Sequence, residues 1–303
     1  MGKRKRPTLE ENDKTSATSH KKNSPSSFQA TKSSNVTSIQ IVTGSYDRVL
    51  HGLTARISKS VDGTEVQFSD NFLFQAHSSA IRCLAISPRP DPSDSSPSQR
   101  LILASGGTDE RINLYHISCF VSSSESENGQ SSPALAATPK LENPKNKELG
   151  SLLHHSSSIN ALYFPTKSKL LSGAEDNTIA VSRTRDWAVL STIKAPIPKA
   201  VGRPSGDTAP LGGTPAGINE FAVHPSRKLM ISVGKGEKCM RLWNLVTGKK
   251  AGVLNFEKSL LQSVGEGKHS SGEGQKVEWN SKGDEFAVVF DRGVAVFGMV
   301  SIF

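Results

Sequence analysis

LMISVGKGEKCMRLWNLVTG, residues 229–248, reads as two short strands and their turns. Met230, Ser232 and Gly234 close an apolar run, and Gly234 to Lys238 is a turn. Met240-Arg241-Leu242-Trp243 alternates into a second strand, and Asn244 to Gly248 turns again. Glycine supplies the positive φ of tight turns, while aliphatic and aromatic side chains fill a pleated surface. A single hairpin of this kind is marginal in water. Its partners must therefore lie elsewhere in the chain.

They are copies of itself. Five turn motifs align without gaps around one acidic residue: Asp47, Asp109, Asp176, Glu237 and Asp291. Three residues after each stands Leu50, Ile112, Ile179, Met240 or Val294, and two further on Gly52, Leu114, Val181, Leu242 or Val296. The successive spacings are 62, 67, 61 and 54 residues. A WD repeat spans roughly 40–45 residues. Low-complexity stretches at 88–100, 118–147, 194–215 and 263–275 account for much of the surplus. The predicted class is all-β: a WD-repeat β-propeller, with about five blades present.

A second register agrees with the first. His77 precedes Ile81 by four residues, and His155 precedes Ile159 by four. Each histidine stands just ahead of the first strand of its repeat, and the acidic turn follows one strand later. A histidine there is placed to hydrogen-bond a buried turn aspartate, which would otherwise be costly to desolvate. Asp47, Glu237 and Asp291 have no aligned histidine; Thr214 fills the slot in the Glu237 repeat. Trp243 holds the closing aromatic position of its repeat, and Tyr115 the equivalent place earlier. A His–Asp pair can also signal acid–base catalysis. Recurrence once per repeat favours a blade-building role instead. In the first inner strand, Ile81, Cys83 and Ala85 are expected on one face and Leu84 and Ile86 on the other.

Residues 1–38 carry few bulky apolar groups and are predicted to be a disordered basic tail, with the partial propeller running over 39–303. Residues 1–35 hold eight Lys/Arg and three Asp/Glu, so the tail supplies +5 of the formal charge of +9. Lys3, Arg4, Lys5 and Arg6 form a cluster of nuclear-localisation type. Cys83, Cys119 and Cys239 are odd in number and form no CxxC pair, which disfavours a disulfide scaffold or zinc site. No apolar run approaches the ~20 residues that span a bilayer. No GxSxG, HExxH or P-loop appears, and GEGKHSSGEG (265–274) lacks the GK[ST] ending of a phosphate loop. Neither catalytic, cofactor nor metal residues are therefore assigned, and no small-molecule substrate is expected.

Three stretches are more specific than a generic repeat: SGGTDERINLY, SGAEDNTIAVSRTRDWAVL and INEFAVHPSRKLMISVGKGEKCMRLWNLVTGKKA. They resemble the WD-repeat family of PAK-interacting proteins, to which the yeast maintenance-of-killer WD-repeat protein belongs. GSYDRVLHGL resembles that family's first repeat. The resemblance covers roughly residues 39–298. It implies a seven-bladed propeller acting in the nucleus and nucleolus as a scaffold among pre-60S ribosomal assembly proteins. The rival it also implies is negative regulation of a PAK-type kinase. RNA contact is expected only indirectly, through the basic tail. Against the family pattern the ending FGMVSIF reads as a chain truncated in mid-repeat, and the first repeat lacks an inner strand of its own.

Overall fold

The computed structural model describes residues 36–60, 63–89, 100–118, 146–198, 216–267 and 270–299. Among the described residues, eighteen strands and one short helix follow one another in antiparallel meanders. The first blade holds β1 (Val36–Gly44), β2 (Val49–Ser60) and β3 (Gly63–Gln75). The second holds β4 (Ile81–Ile86), β5 (Arg100–Gly107), β6 (Ile112–Ser118) and β7 (Lys147–Leu152). The third holds β8 (Ile159–Thr166), β9 (Lys169–Ala174), β10 (Thr178–Arg183) and β11 (Val189–Lys194). The fourth holds β12 (Ile218–Val223), β13 (Leu229–Gly234), β14 (Cys239–Asn244) and β15 (Lys249–Asn255). Helix α1 (Lys258–Ser263) leads to the fifth, with β16 (Lys276–Trp279), β17 (Glu285–Val289) and β18 (Val294–Gly298). The five sheets are arranged as a β-propeller.

One apolar cluster fills each of the four interfaces between successive blades. Alternate residues of a strand go to opposite clusters. Leu103 packs toward the first blade and Ile102 and Ala104 toward the third. Met230 packs toward the third blade and Ile231 toward the fifth. This is why LILASGG, KLLSGA and LMISVG are continuous apolar runs rather than alternating ones: both faces of a middle strand are buried. The outward faces of the first and fifth blades differ. Ile39 (46%) and Phe68 (67%) are exposed on one, Val294 (55%) and Val296 (67%) on the other.

The irregularities repeat as faithfully as the strands. Each of the inner strands β4, β8 and β12 shifts register at its second residue, Arg82, Asn160 and Asn219. Each third-to-fourth strand pairing shifts again at Leu114/Tyr115, Val181/Ser182 and Leu242/Trp243, and β2 does so against β3 at Gly52/Leu53. That shift falls five to six residues after the turn acid every time. The first bulge corrects an expectation. Ile81 packs with Leu84 against the first blade, while Cys83 and Ala85 face the third. An extra residue in a strand reverses the side chains on one side of it.

Two further readings shift. Strand β1 starts at Val36, inside the stretch assigned to the tail, because Val36 to Ser38 continue the β1–β2 ladder opposite Arg56 to Ser58. The segment assigned to a low-complexity stretch at 263–275 begins inside α1, which seats Leu261 in the fourth interface. The central parts of the other insertions, Lys3 to Arg6 and Thr214 lie outside the described residues.

Candidate interaction face and the hydrogen-bonded turns

All five acidic residues stand in the turn joining the second and third strands of a full blade, or the equivalent turn in the first blade. Their surroundings fall into different chemistries. His77 Nδ1 lies 2.9 Å from Asp109 Oδ1, and its Nε2 lies 2.8 Å from Ser105 Oγ. In the next blade His155 Nδ1 lies 3.0 Å from Asp176 Oδ2, and Nε2 lies 2.8 Å from Ser172 Oγ. A carboxylate only accepts, so Nδ1–H donates to it; a neutral ring then accepts the serine hydroxyl at Nε2. Ser78 N–H donates to Asp109 and Ser156 N–H to Asp176. Thr178 donates to Asp176 from both N–H and Oγ–H.

Burial alone would push the pKa of Asp176 up. The bonds from His155 and Thr178 outweigh it and hold the carboxyl at about 2. Asp109 is likewise lowered, against burial, by His77 and Ser78.

Asp–His–Ser with these contacts has the connectivity of a nucleophilic triad. The environment excludes that use. Both histidine side chains are 0% exposed, and Ser105 and Ser172 are 0% and 1% exposed. A nucleophile must meet its substrate, and these hydroxyls are sealed between strands. The arrangement ties the start of the inner strand to the turn and to the second strand, three pieces distant in sequence. Among the described residues no group of three His, Cys, Asp or Glu side chains could hold a metal ion.

The other three turns are built differently. Glu237 forms a nearly buried ion pair with Arg241, four residues on in the same blade. Its turn is one residue longer than those of Asp109 and Asp176, since Met240 pairs with Val233 whereas Ile112 pairs with Gly106. Ser232 is therefore offset by one, and it accepts a 2.8 Å bond from Trp243 Nε1 rather than facing a histidine. Asp291 is exposed and receives Ser271 Oγ at 3.2 Å and Gln275 Nε2 at 3.0 Å. Asp47 is exposed, with no side-chain hydrogen bond among the described residues. One phase of the repeat thus carries two buried networks, one ion pair and two solvated turns.

The sequence reading missed the residues that join blade to blade. Asn160 Nδ2 donates to the Ile218 carbonyl at 2.9 Å, and Asn219 Nδ2 to the Gly274 carbonyl at 2.9 Å. Both asparagines are the bulged second residues of inner strands, so the bulge aims each side chain at the next blade. Lys235 pairs with Glu175 across two turns, and Lys276 with Glu220 across two inner strands. Glycines three residues before the acid are the other missed set. A Cβ on Gly44 would meet Ile81 at 2.6 Å, and one on Gly106 would meet Ile159 at 2.7 Å. The repeated G-x-x-D spacing at Gly44, Gly106 and Gly173 was a visible signal for them.

The turns, inner-strand carboxylates and lysines together make a polar face around the inner strands, of the kind that receives other macromolecules. Comparison with known proteins places this geometry. The model described as WD domain, G-beta repeat matches residues 68–116 and 146–181. Each match takes in the outer strand of one blade and the three inner strands of the next. A Xenopus laevis protein named p21-activated protein kinase-interacting protein 1-like is 28% identical over 260 residues, 86% of this chain and 51% of its own length. Protein MAK11 of Saccharomyces cerevisiae is 29% identical over 278 residues, 85% of this chain and 51% of its own length. Shk1 kinase-binding protein 15 of Schizosaccharomyces pombe is 25% identical over 71% of this chain and 46% of its own length. The chain thus spans about half the length of the curated relatives it matches.

Proposed function

We propose that this WD-repeat chain is a non-catalytic scaffold in nucleolar assembly of the large ribosomal subunit. The observation that carries the reading is similarity to MAK11 and its relatives along 85–86% of the chain. Two features support it. The histidine networks are sealed inside the blades and leave no accessible nucleophile in them. The cationic N-terminal cluster Lys3 to Arg6 suits nuclear import. In this reading pre-60S assembly proteins dock on the turns and loops, which vary without disturbing the ladders. Depletion of the protein should lower free 60S subunits relative to 40S on a sucrose gradient. An unchanged ratio, with normal precursor rRNA processing, would sink the proposal.

A second reading has its own support. The names of these relatives describe binding to p21-activated and Shk1 kinases. Docking on a PAK-type kinase and restraining it would use the same loops. Affinity purification of the tagged full chain separates the two: pre-ribosomal proteins favour the first, a kinase without them the second.

A further inference from the structure

The two ends of the third and fourth blades carry different charge. In an antiparallel meander the first-to-second and third-to-fourth strand turns lie at one end, and the acidic turns at the other. Hydrogen bonds across blades keep these ends aligned. His224 Nε2 meets the Gly283 carbonyl between two first-to-second turns, and Lys235 meets Glu175 between two acidic turns.

At the end away from the acidic turns, the third and fourth blades present FPTKSKL (164–170), SRTRDW (182–187), HPSRKL (224–229) and TGKKAG (247–252). These four segments hold eight Lys or Arg and one carboxylate, Asp186. That carboxylate is already engaged by Arg183 at 2.6 Å. The other cations are exposed. The acidic-turn end of the same two blades is mixed in sign, with Glu175, Glu237 and Asp176 among its lysines. The second blade continues the positive end. Arg100 and Lys147 approach His116 from flanking strands and Lys167 from the third blade. They add to burial in holding that imidazole below its ordinary value.

We propose that this end of the third and fourth blades, extended onto the second, binds the phosphodiester backbone of RNA. The observation is independent of the ribosome reading. Cations arrive in pairs from four separate loops, which suits a line of phosphates. A protein interface would instead be depleted in lysine and centred on buried apolar anchors. Tyr163, 43% exposed and four residues before Lys167, offers one ring for a base to stack on. Recognition is by charge and stacking, with little sequence preference.

The test uses the whole chain, because the basic tail also attracts RNA and must be held constant. Lys167→Glu, Lys169→Glu, Lys228→Glu and Lys249→Glu are combined in one variant. Lys194→Glu, Lys238→Glu, Lys258→Glu and Arg292→Glu, at the acidic-turn end, form a second variant of equal charge. Binding of a labelled polyuridine oligonucleotide is followed by anisotropy across a salt series. The first variant should bind at least ~10-fold more weakly, with its log–log salt slope reduced by about 3, and the second should lose far less. Equal losses in both would overturn the proposal, since only bulk charge would matter. Competition by polyglutamate as effective as by RNA of equal charge would overturn it in favour of an acidic polypeptide. Photocrosslinking of the unaltered chain to 4-thiouridine RNA needs no variant to fold. Crosslinks within 163–169 or 182–187 support the site; crosslinks confined to residues 1–35 overturn it.

Discussion

Asp176→Ala and Asp47→Ala change the same position of the repeat and should have very different effects. Asp176 accepts from Thr178 N at 2.9 Å, Thr178 Oγ1 at 2.6 Å, His155 Nδ1 at 3.0 Å and Ser156 N at 3.3 Å. Its side chain is 14% exposed and that of His155 is 0% exposed. Hydrogen bonds to a charged group contribute about 1.5–3 kcal/mol each, and a buried donor left unpaired costs about 1–3 kcal/mol. Ser156 is exposed, so water can satisfy its N–H. The buried imidazole N–H keeps only Thr178 Oγ1, and the part-buried threonine donors lose a charged acceptor, so Asp176→Ala should destabilise by about 2–4 kcal/mol. Asp47 is exposed and accepts no such bonds, so Asp47→Ala should stay within about 0.5 kcal/mol. Urea unfolding followed by tryptophan fluorescence is the assay, and Trp187, at the opposite end of the same third blade, is one reporter. At about 3 kcal/mol per molar the midpoint should fall by roughly 1 M for Asp176→Ala. Equal shifts for both variants would refute the claim that the histidine network, rather than turn chemistry shared by all repeats, supplies the stability.

Acid should act through the same group. The Asp176 carboxyl sits at about 2 in the fold against 3.8 ordinarily, so its stabilisation is complete above pH 4 and is lost as pH falls toward 2. Between those limits the unaltered chain should lose about 1–2 kcal/mol more than Asp176→Ala, measured by denaturant midpoints at stepped pH; parallel curves would contradict it. Gly106→Ala drives a methyl against Cys83 Sγ and Ile159 at 2.7 Å, and a drop of about 1–3 kcal/mol in unfolding free energy checks the contact. Glu237→Gln leaves Arg241, only 10% exposed, without its counter-ion, and should cost about 3–5 kcal/mol. The pair Glu237→Met with Arg241→Met should recover most of that loss in the same urea experiment, and no recovery would contradict the ion-pair account.

The phase of the repeat was readable because its markers are local. Gly, an acid three residues later, and an apolar residue three beyond that all belong to one turn, and insertions elsewhere do not disturb them. The outermost strands were less legible. β7 is KELGSL with no fully buried residue, and β11 is VLSTIK with one. Such edges are recruited by ladder hydrogen bonds, so they need no apolar alternation to mark them. The Glu237–Arg241 pair was hidden by the extra residue in its turn, which moves Ser232 out of the alignment. Asn160 and Asn219 were hidden because their role depends on a bulge, and a bulge leaves no composition signature. The His77 and His155 positions were visible from spacing alone; their serine partners needed the paired strands to be seen.

The bulge five to six residues beyond each turn acid has a consequence for how this gene can change. Between acid and bulge the chain behaves as a ruler of fixed length, read from the turn outward in every blade that has a fourth strand and in the first. Adding one codon inside that interval would exchange the residues that the third strand sends to its two neighbouring interfaces. Adding dozens between the third and fourth strands, as at 119–145, leaves the ruler untouched and lengthens only a closure whose entropy grows as a logarithm. Insertions and deletions among homologous genes should therefore cluster outside these short intervals, and substitutions alone should accumulate within them.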